Sequence, residues 1–213
     1  MTPTAADRKA WSELLNGLPD DLRYTPLNGN KCPIDPDNGY PRNQWETFHY
    51  LPSDLDQMNG VVKAVGLHLG PTSNGVMAVD FDGVGSEIVF QNLTGHLVTE
   101  LPKTVRWSSG QMGHYQCLYR VPKEHWEGLR TKKLKDKDPR CHFELRWIGQ
   151  SVIAGEHPEK LLGDGYYSFD DGHSPKDVEI APVPDWLLEF FQQECRPKVK
   201  TDAGKPVTVE KPK

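Results

Sequence analysis

The chain's apolar and polar positions sort into short strands separated by turns, with a few helices. Val76-Met-Ala-Val-Asp-Phe-Asp82 is an apolar run that ends in two carboxylates. A strand alternates its side chains between faces, so Asp80 and Asp82 share one face, about 7 Å apart along the backbone. Cys141-His-Phe-Glu-Leu-Arg-Trp147 alternates strictly: Phe143 and Leu145 fall on one face, His142, Glu144 and Arg146 on the other. Further strands are expected at Ala64–Leu69, Thr104–Trp107, Cys117–Tyr119, Ser151–Ala154 and Gly163–Phe169. Gly70-Pro-Thr-Ser-Asn-Gly75 turns the chain between the first of these and Val76, so the two read as a hairpin with a long loop. Helical spacing marks Ala5–Leu18, Ser53–Asn59 capped by Ser53, and Ser86–Leu93 capped by Ser86 with Ile88, Val89, Phe90 and Leu93 inward. A short helix is expected at Lys123–Leu129, and Pro184 opens a last one at its first position.

Composition narrows the class. With 213 residues, 36% hydrophobic and 26% charged, the chain is long enough for one good-sized core, and 18 Pro with 19 Gly imply many turns. The net charge of −5 argues against coating nucleic acid through bulk charge. Locally the sign reverses: Lys103–Arg146 holds eleven Lys/Arg against five Asp/Glu. Cys32, Cys117, Cys141 and Cys195 form no CxxC pair, so reduced thiols and a cytoplasmic setting are expected rather than a zinc ribbon or disulfide framework. Neither a signal pattern nor an apolar run near about 18 residues is present, so no membrane partner is expected. Residues 197–213, rich in Lys, Pro and Thr, read as a disordered tail or linker.

Three constellations carry chemistry. Asp80 and Asp82 beside Gly83 and Gly85 suit a hard divalent cation such as Mg²⁺ or Mn²⁺, or are an ordinary strand end with two solvated carboxylates. Ser108-Ser-Gly-Gln-Met-Gly-His-Tyr115 offers hydroxyls, backbone N–H groups and an imidazole, a combination that makes a phosphate-holding concavity; His114 taken alone is more often structural than catalytic. Glu144 is the third acid. Two loops add cations. Asn28–Arg42 is long, irregular and rich in Pro, Asn and Gly, with Lys31, Arg42 and the nearby Trp45 able to reach phosphate and base, or it is a solvated loop with a packed Trp. Arg130–Arg140 is too charged to pack, and its Lys132, Lys133, Lys135 and Lys137 either hold a nucleic-acid backbone or form a solvated loop.

In order, these are two carboxylates, a histidine about thirty residues on and a third carboxylate about thirty further. The set resembles the primase-polymerase (prim-pol) group of the archaeo-eukaryotic primase superfamily. The matching residues are Asp80-Phe-Asp82, Ser109-Gly110…His114 and Phe143-Glu144-Leu-Arg146. Gly149…Val152-Ile-Ala…His157…Gly165-Tyr-Tyr-Ser-Phe follows as the family's later segment does, and Lys31-Cys-Pro33 with Trp45 resembles its N-terminal signature. The likeness covers residues 10–195. It departs at Gln111-Met-Gly113, which lengthens the serine-to-histidine turn, and at Gly155-Glu156, where the family carries a proline pair.

The resemblance implies an α+β fold: an RRM-like antiparallel-sheet catalytic core over residues 76–196, with an N-terminal α/β subdomain over residues 5–75 that completes a cleft. Residues 1–196 would form the catalytic domain. Such enzymes join NTPs or dNTPs on a single-stranded DNA template, often without a primer, by two-metal phosphoryl transfer. Asp80, Asp82 and Glu144 would hold Mg²⁺ or Mn²⁺. Ser109, Gly110, His114, Arg146, His157 and Lys31 would bind the nucleotide, and the four lysines the template. A helicase domain or partner is an implied companion. Two rival readings remain: a metal-dependent nuclease with His114 as general base, and a non-catalytic single-strand binder stacking bases on Trp107, Tyr115 and Trp147.

Overall fold

A computed structural model describes residues 10–58, 60–135, 141–158 and 165–196. In chain order the elements are α1 (Trp11–Leu14), β1 (Tyr24–Leu27), α2 (Pro52–Asp56), β2 (Ala64–His68), β3 (Val76–Asp82), α3 (Ser86–Thr94), β4 (Arg106–Ser108), β5 (Tyr115–Arg120), β6 (Lys132–Lys135), β7 (His142–Arg146), β8 (Gln150–Glu156), β9 (Tyr166–Phe169), β10 (Ala181–Pro182) and α4 (Asp185–Cys195). The fold is mixed α+β. Among the described residues ten strands make one curled sheet in the order β1-β2-β8-β9-β4-β5-β3-β7-β6, antiparallel except where β10 joins β5.

The curl gives the sheet two main cores, and β3 borders both. Met77, Val79 and Phe81 face Phe143 and Leu145, Val89 and Phe90 of α3, and Leu187, Leu188 and Phe191 of α4. Val76 and Ala78 face the other way, into a cluster with Leu118, Trp107, Val65, Leu67 and Leu15. A strand buried on both faces reads as a continuous apolar run, which is why Val76–Val79 shows no alternation. Asp80 and Asp82 continue the Val76–Ala78 face beyond the point where the second core ends.

Several expected elements differ. The hairpin of β2 and β3 does not form: among the described residues the only backbone pairing there is the isolated Gly70–Val76 bridge just past β2, while β2 pairs with β1 and β8, and β3 with β5 and β7. Both strands are buried on both faces, and each finds two partners in its own arm of the sheet. The first helix is a single turn in the described residues, and its expected start at Ala5 lies outside them; Gly17, at φ +98°, ends the helical course so that Leu15 and Leu18 reach the core. α2 begins at Pro52, with Asp54 accepting from the Leu51 N–H at 2.8 Å, so Ser53 is not its cap. Gly85 caps α3; Ser86 is its first residue, and Ile88 and Leu93 are exposed.

Lys123–Leu129 contains only a 3₁₀ turn at Lys123–His125, because Trp126 folds back to donate to the Val121 carbonyl. Pro184 is the residue before α4 rather than its first. The loop expected from Arg130 packs in part. Lys132–Lys135 is the edge strand β6, Leu134 lying against the first core and the lysines flanking it. Lysines on an edge strand are a common guard against pairing with another chain.

Candidate active site

The β3–β7 register builds the centre of the site. Asp80 lies opposite Glu144 and Asp82 opposite His142, so those four side chains and Arg146 share one face. On the other side β5 brings Gln116 opposite Asp80. This face floors a pocket of about 420 Å³, whose far wall comes from β8, β9 and the loop carrying Lys31.

Its electrostatics are uneven. Asp80 is 7% exposed. Burial, followed by the nearby Asp82 charge, pushes its carboxyl up to about 7, with the Arg146 guanidinium acting in the opposite direction. Arg146 Nη1 donates to Asp80 Oδ2 at 3.0 Å and Nη2 to the Gln150 carbonyl at 2.7 Å, so one arginine ties the acid to the next strand. Asp82 is more open. His114 Nδ1 lies 3.1 Å from its Oδ1, and His142 Nε2 2.9 Å from its Oδ2. The second approach is not aligned as a hydrogen bond, and both His142 ring nitrogens are buried without such a partner among the described residues. Lys133 Nζ lies 3.5 Å from Glu144 Oε1.

Glycines accommodate both departures in sequence. Gly113 has φ +75°, and a Cβ there would lie 2.6 Å from Val84 N. That close approach lets its carbonyl accept from the Gly83 N–H at 3.1 Å, locking the longer turn onto the loop after β3 and holding His114 against Asp82. Gly155 has φ +100°, and a Cβ would come within 2.4 Å of Ala64 Cα. Proline, held near φ −65°, cannot take that conformation.

On the far wall Lys31, itself at φ +62°, places Nζ 3.2 Å from His157 Nε2 and 5.5 Å from the Tyr167 ring centre. His157 is buried and its N–H is held by the Gly165 carbonyl at 2.8 Å.

The structure thus brings Asp80, Asp82, Glu144, Ser109, His114, Arg146, His157 and Lys31 to one pocket. Gly110 is not part of its lining; it is exposed at the turn, with its N–H on Ser108 Oγ at 3.3 Å. Lys133 and Lys135 lie opposite Glu144 and His142 and share the site's face, whereas Lys132 takes the opposite face. Lys137 lies outside the described residues. Among the described residues the ligand group that converges on one point is Asp82, His142 and Glu144, with donor atoms within 4.8 Å of one another. Asp80 is directed at Arg146 instead. His142 was not among the site residues expected from sequence, although its alternation with Glu144 and Arg146 was the available signal. A buried imidazole with unpartnered nitrogens beside two carboxylates fits a divalent cation, so the residues present can hold one.

Two expectations about nucleic acid change. Trp107 and Trp147 are core residues, the former donating to the Val152 carbonyl at 2.7 Å, so these two rings are not base-stacking platforms; Tyr115, half-buried at the pocket, stacks on Phe81 at 4.6 Å. In the basic stretch, Arg106 pairs with Asp170 at 2.6 Å, Arg120 with Asp21 at 3.2 Å and Arg146 with Asp80, which leaves the lysines and the exposed Arg130, whose guanidinium donates to the Cys195 carbonyl, as the outward charge of its described residues.

The family model for Prim-Pol, the N-terminal bifunctional DNA primase/polymerase domain, matches residues 20–186. No curated protein matches the chain significantly. Among the described residues no helix is long and apolar enough to cross a membrane.

Proposed function

The chain belongs to the bifunctional DNA primase/polymerase (Prim-Pol) family, and on that premise we propose that its pocket joins NTPs or dNTPs on a single-stranded DNA template. The observation that carries this is the opposition, across one 420 Å³ space, of a carboxylate floor and a far wall that holds the Lys31 ammonium beside His157. A triphosphate with its cations needs both signs at that spacing; a pocket for a neutral ligand needs neither.

Asp82, Glu144 and His142, with Asp80 behind them, would hold the cations. Mg²⁺ or Mn²⁺ bound there would lower the pKa of the attacking 3′-hydroxyl and neutralise the leaving pyrophosphate. The chain's own groups supply placement. Lys31 donates to phosphate oxygens through charge-assisted bonds with His157 positioned beside it, and His114 keeps Asp82 in its rotamer while presenting its other ring nitrogen to the pocket. Arg146 fixes Asp80 and the β7–β8 turn as one unit.

The order β4-β5-β3-β7, with α3 and α4 on the face away from the carboxylates, supports an RRM-like catalytic core. We take residues 1–196 as one catalytic domain whose other arm, β1-β2-β8-β9, completes the cleft.

The His114–Asp82 contact also fits a nuclease that activates water, and the two readings separate cleanly. Purified protein is incubated with single-stranded template, labelled NTP or dNTP and Mn²⁺ or Mg²⁺, with and without primer. Nucleotide-dependent lengthening is the expected result. Strand shortening that proceeds without nucleotide would establish the nuclease instead.

A further inference from the structure

We propose that His142 is a direct metal ligand and makes this centre select a first-row transition cation, Mn²⁺ among them, over Mg²⁺. The inference rests on reading the pocket as a divalent-cation site, and it concerns which ion the site takes.

β7 carries His142 and Glu144 two residues apart, so both point to the face of Asp82, and each contributes a donor atom to a group no more than 4.8 Å wide. His142 is 12% exposed, and each of its ring nitrogens is shielded from water with no hydrogen-bond partner among the described residues. A buried imidazole left in that state is costly unless something polar reaches it. Asp82 Oδ2, 2.9 Å away, stands beside Nε2 without the alignment of a hydrogen bond, as two ligands aimed at a third point do.

Asp80 does not compete for this position, because Arg146 already holds its Oδ2 at 3.0 Å. The donor set at the centre is therefore two carboxylates and one imidazole, not three carboxylates. All-oxygen sets suit Mg²⁺, which dehydrates reluctantly, whereas an imidazole nitrogen favours transition cations.

The alternative is that His142 carries a proton and serves as a fixed countercharge to Asp82 and Glu144. Mn²⁺ binding to the full chain, without nucleotide or DNA, separates the two. Electron spin-echo modulation of the bound ion should show a directly coordinated nitrogen, which persists in His114→Asn and is lost in His142→Asn. Mn²⁺ affinity should fall at least about tenfold in His142→Asn. Displacing Mn²⁺ should take several-fold less Mg²⁺ in that variant than in the unaltered protein. Absence of nitrogen coupling in the unaltered protein overturns the proposal whatever the variants do, as does coupling unchanged in His142→Asn. Because no catalysis is read, a protein that binds Mn²⁺ through nitrogen but adds no nucleotides would contradict the polymerase reading while leaving this inference standing.

Discussion

His114 shows how one residue's role depends on both of its ring nitrogens. One faces Asp82 Oδ1 at 3.1 Å, so truncation removes a support for that acid as well as the donor to phosphate proposed above. A charge-assisted hydrogen bond is worth about 1.5–3 kcal/mol, so His114→Ala should lower kcat/KM by roughly 10- to 150-fold. The apparent KM for the triphosphate should rise and primer–template affinity should hold. Unchanged triphosphate affinity and turnover in the folded variant would remove His114 from the site. His68 makes a second prediction at this scale. It is 3% exposed between Trp45 and His49, and burial lowers its pKa to about 4, with the His49 charge adding to that effect. The unfolded chain, with a histidine near 6.5, binds more protons than the folded one between those values. Stability should therefore fall as pH drops from about 6.5 to about 4, by up to about 3 kcal/mol from this residue. Asp80, whose folded pKa is raised to about 7, works in the opposite sense over the same range. The contribution of His68 is thus the difference between denaturation curves of wild type and His68→Phe, and parallel curves across that window would contradict it.

The elements themselves were legible where sequence pattern and burial agree. β7 alternates because one face meets the first core and the other the pocket, and the chain reads that way from Cys141 to Trp147. β3 was legible as a strand for its apolar run, and its two carboxylates for their spacing. Partnering was not legible: nothing in Ala64–His68 or Val76–Asp82 says that the strands lie in different arms of one curled sheet. β6 was hidden for another reason, since a strand packed on one face needs only Leu134 inward and looks like a charged loop. That strand sharpens the template expectation. Lys133 and Lys135 face the site and Lys132 does not, so Lys133→Gln with Lys135→Gln should flatten the salt dependence of single-strand binding by at most about 0.7 per lost contact. Lys132→Gln should leave that slope alone; equal effects from all three would place the template elsewhere. Gly113 tests the turn. Gly113→Ala meets backbone at 2.6 Å, whereas Gly95→Ala, at a similar φ of +77°, meets nothing within 4 Å. Melting should show a cost of about 1–3 kcal/mol of backbone strain at either position, with the larger loss and weakened triphosphate binding only at Gly113.

At the scale of the molecule, the site exists because the sheet curls. Its floor comes from β3, β5 and β7, and its far wall from β8, β9 and the Lys31 loop, elements up to 126 residues apart in sequence. Asp80, Asp82 and Glu144 were legible as a set because each sits on a patterned strand. His142 was passed over because a histidine in an alternating strand has many ordinary uses, and only the register with Asp82 singles it out. The central claim is that nucleotide addition takes place on this carboxylate face. The most direct measurement is incorporation of labelled nucleotide on a primed single-stranded template, run on wild type and on Asp82→Ala preparations matched for melting temperature. Template-directed addition by the wild type and its abolition in the variant are the expected results; incorporation by Asp82→Ala at the wild-type rate would contradict that claim.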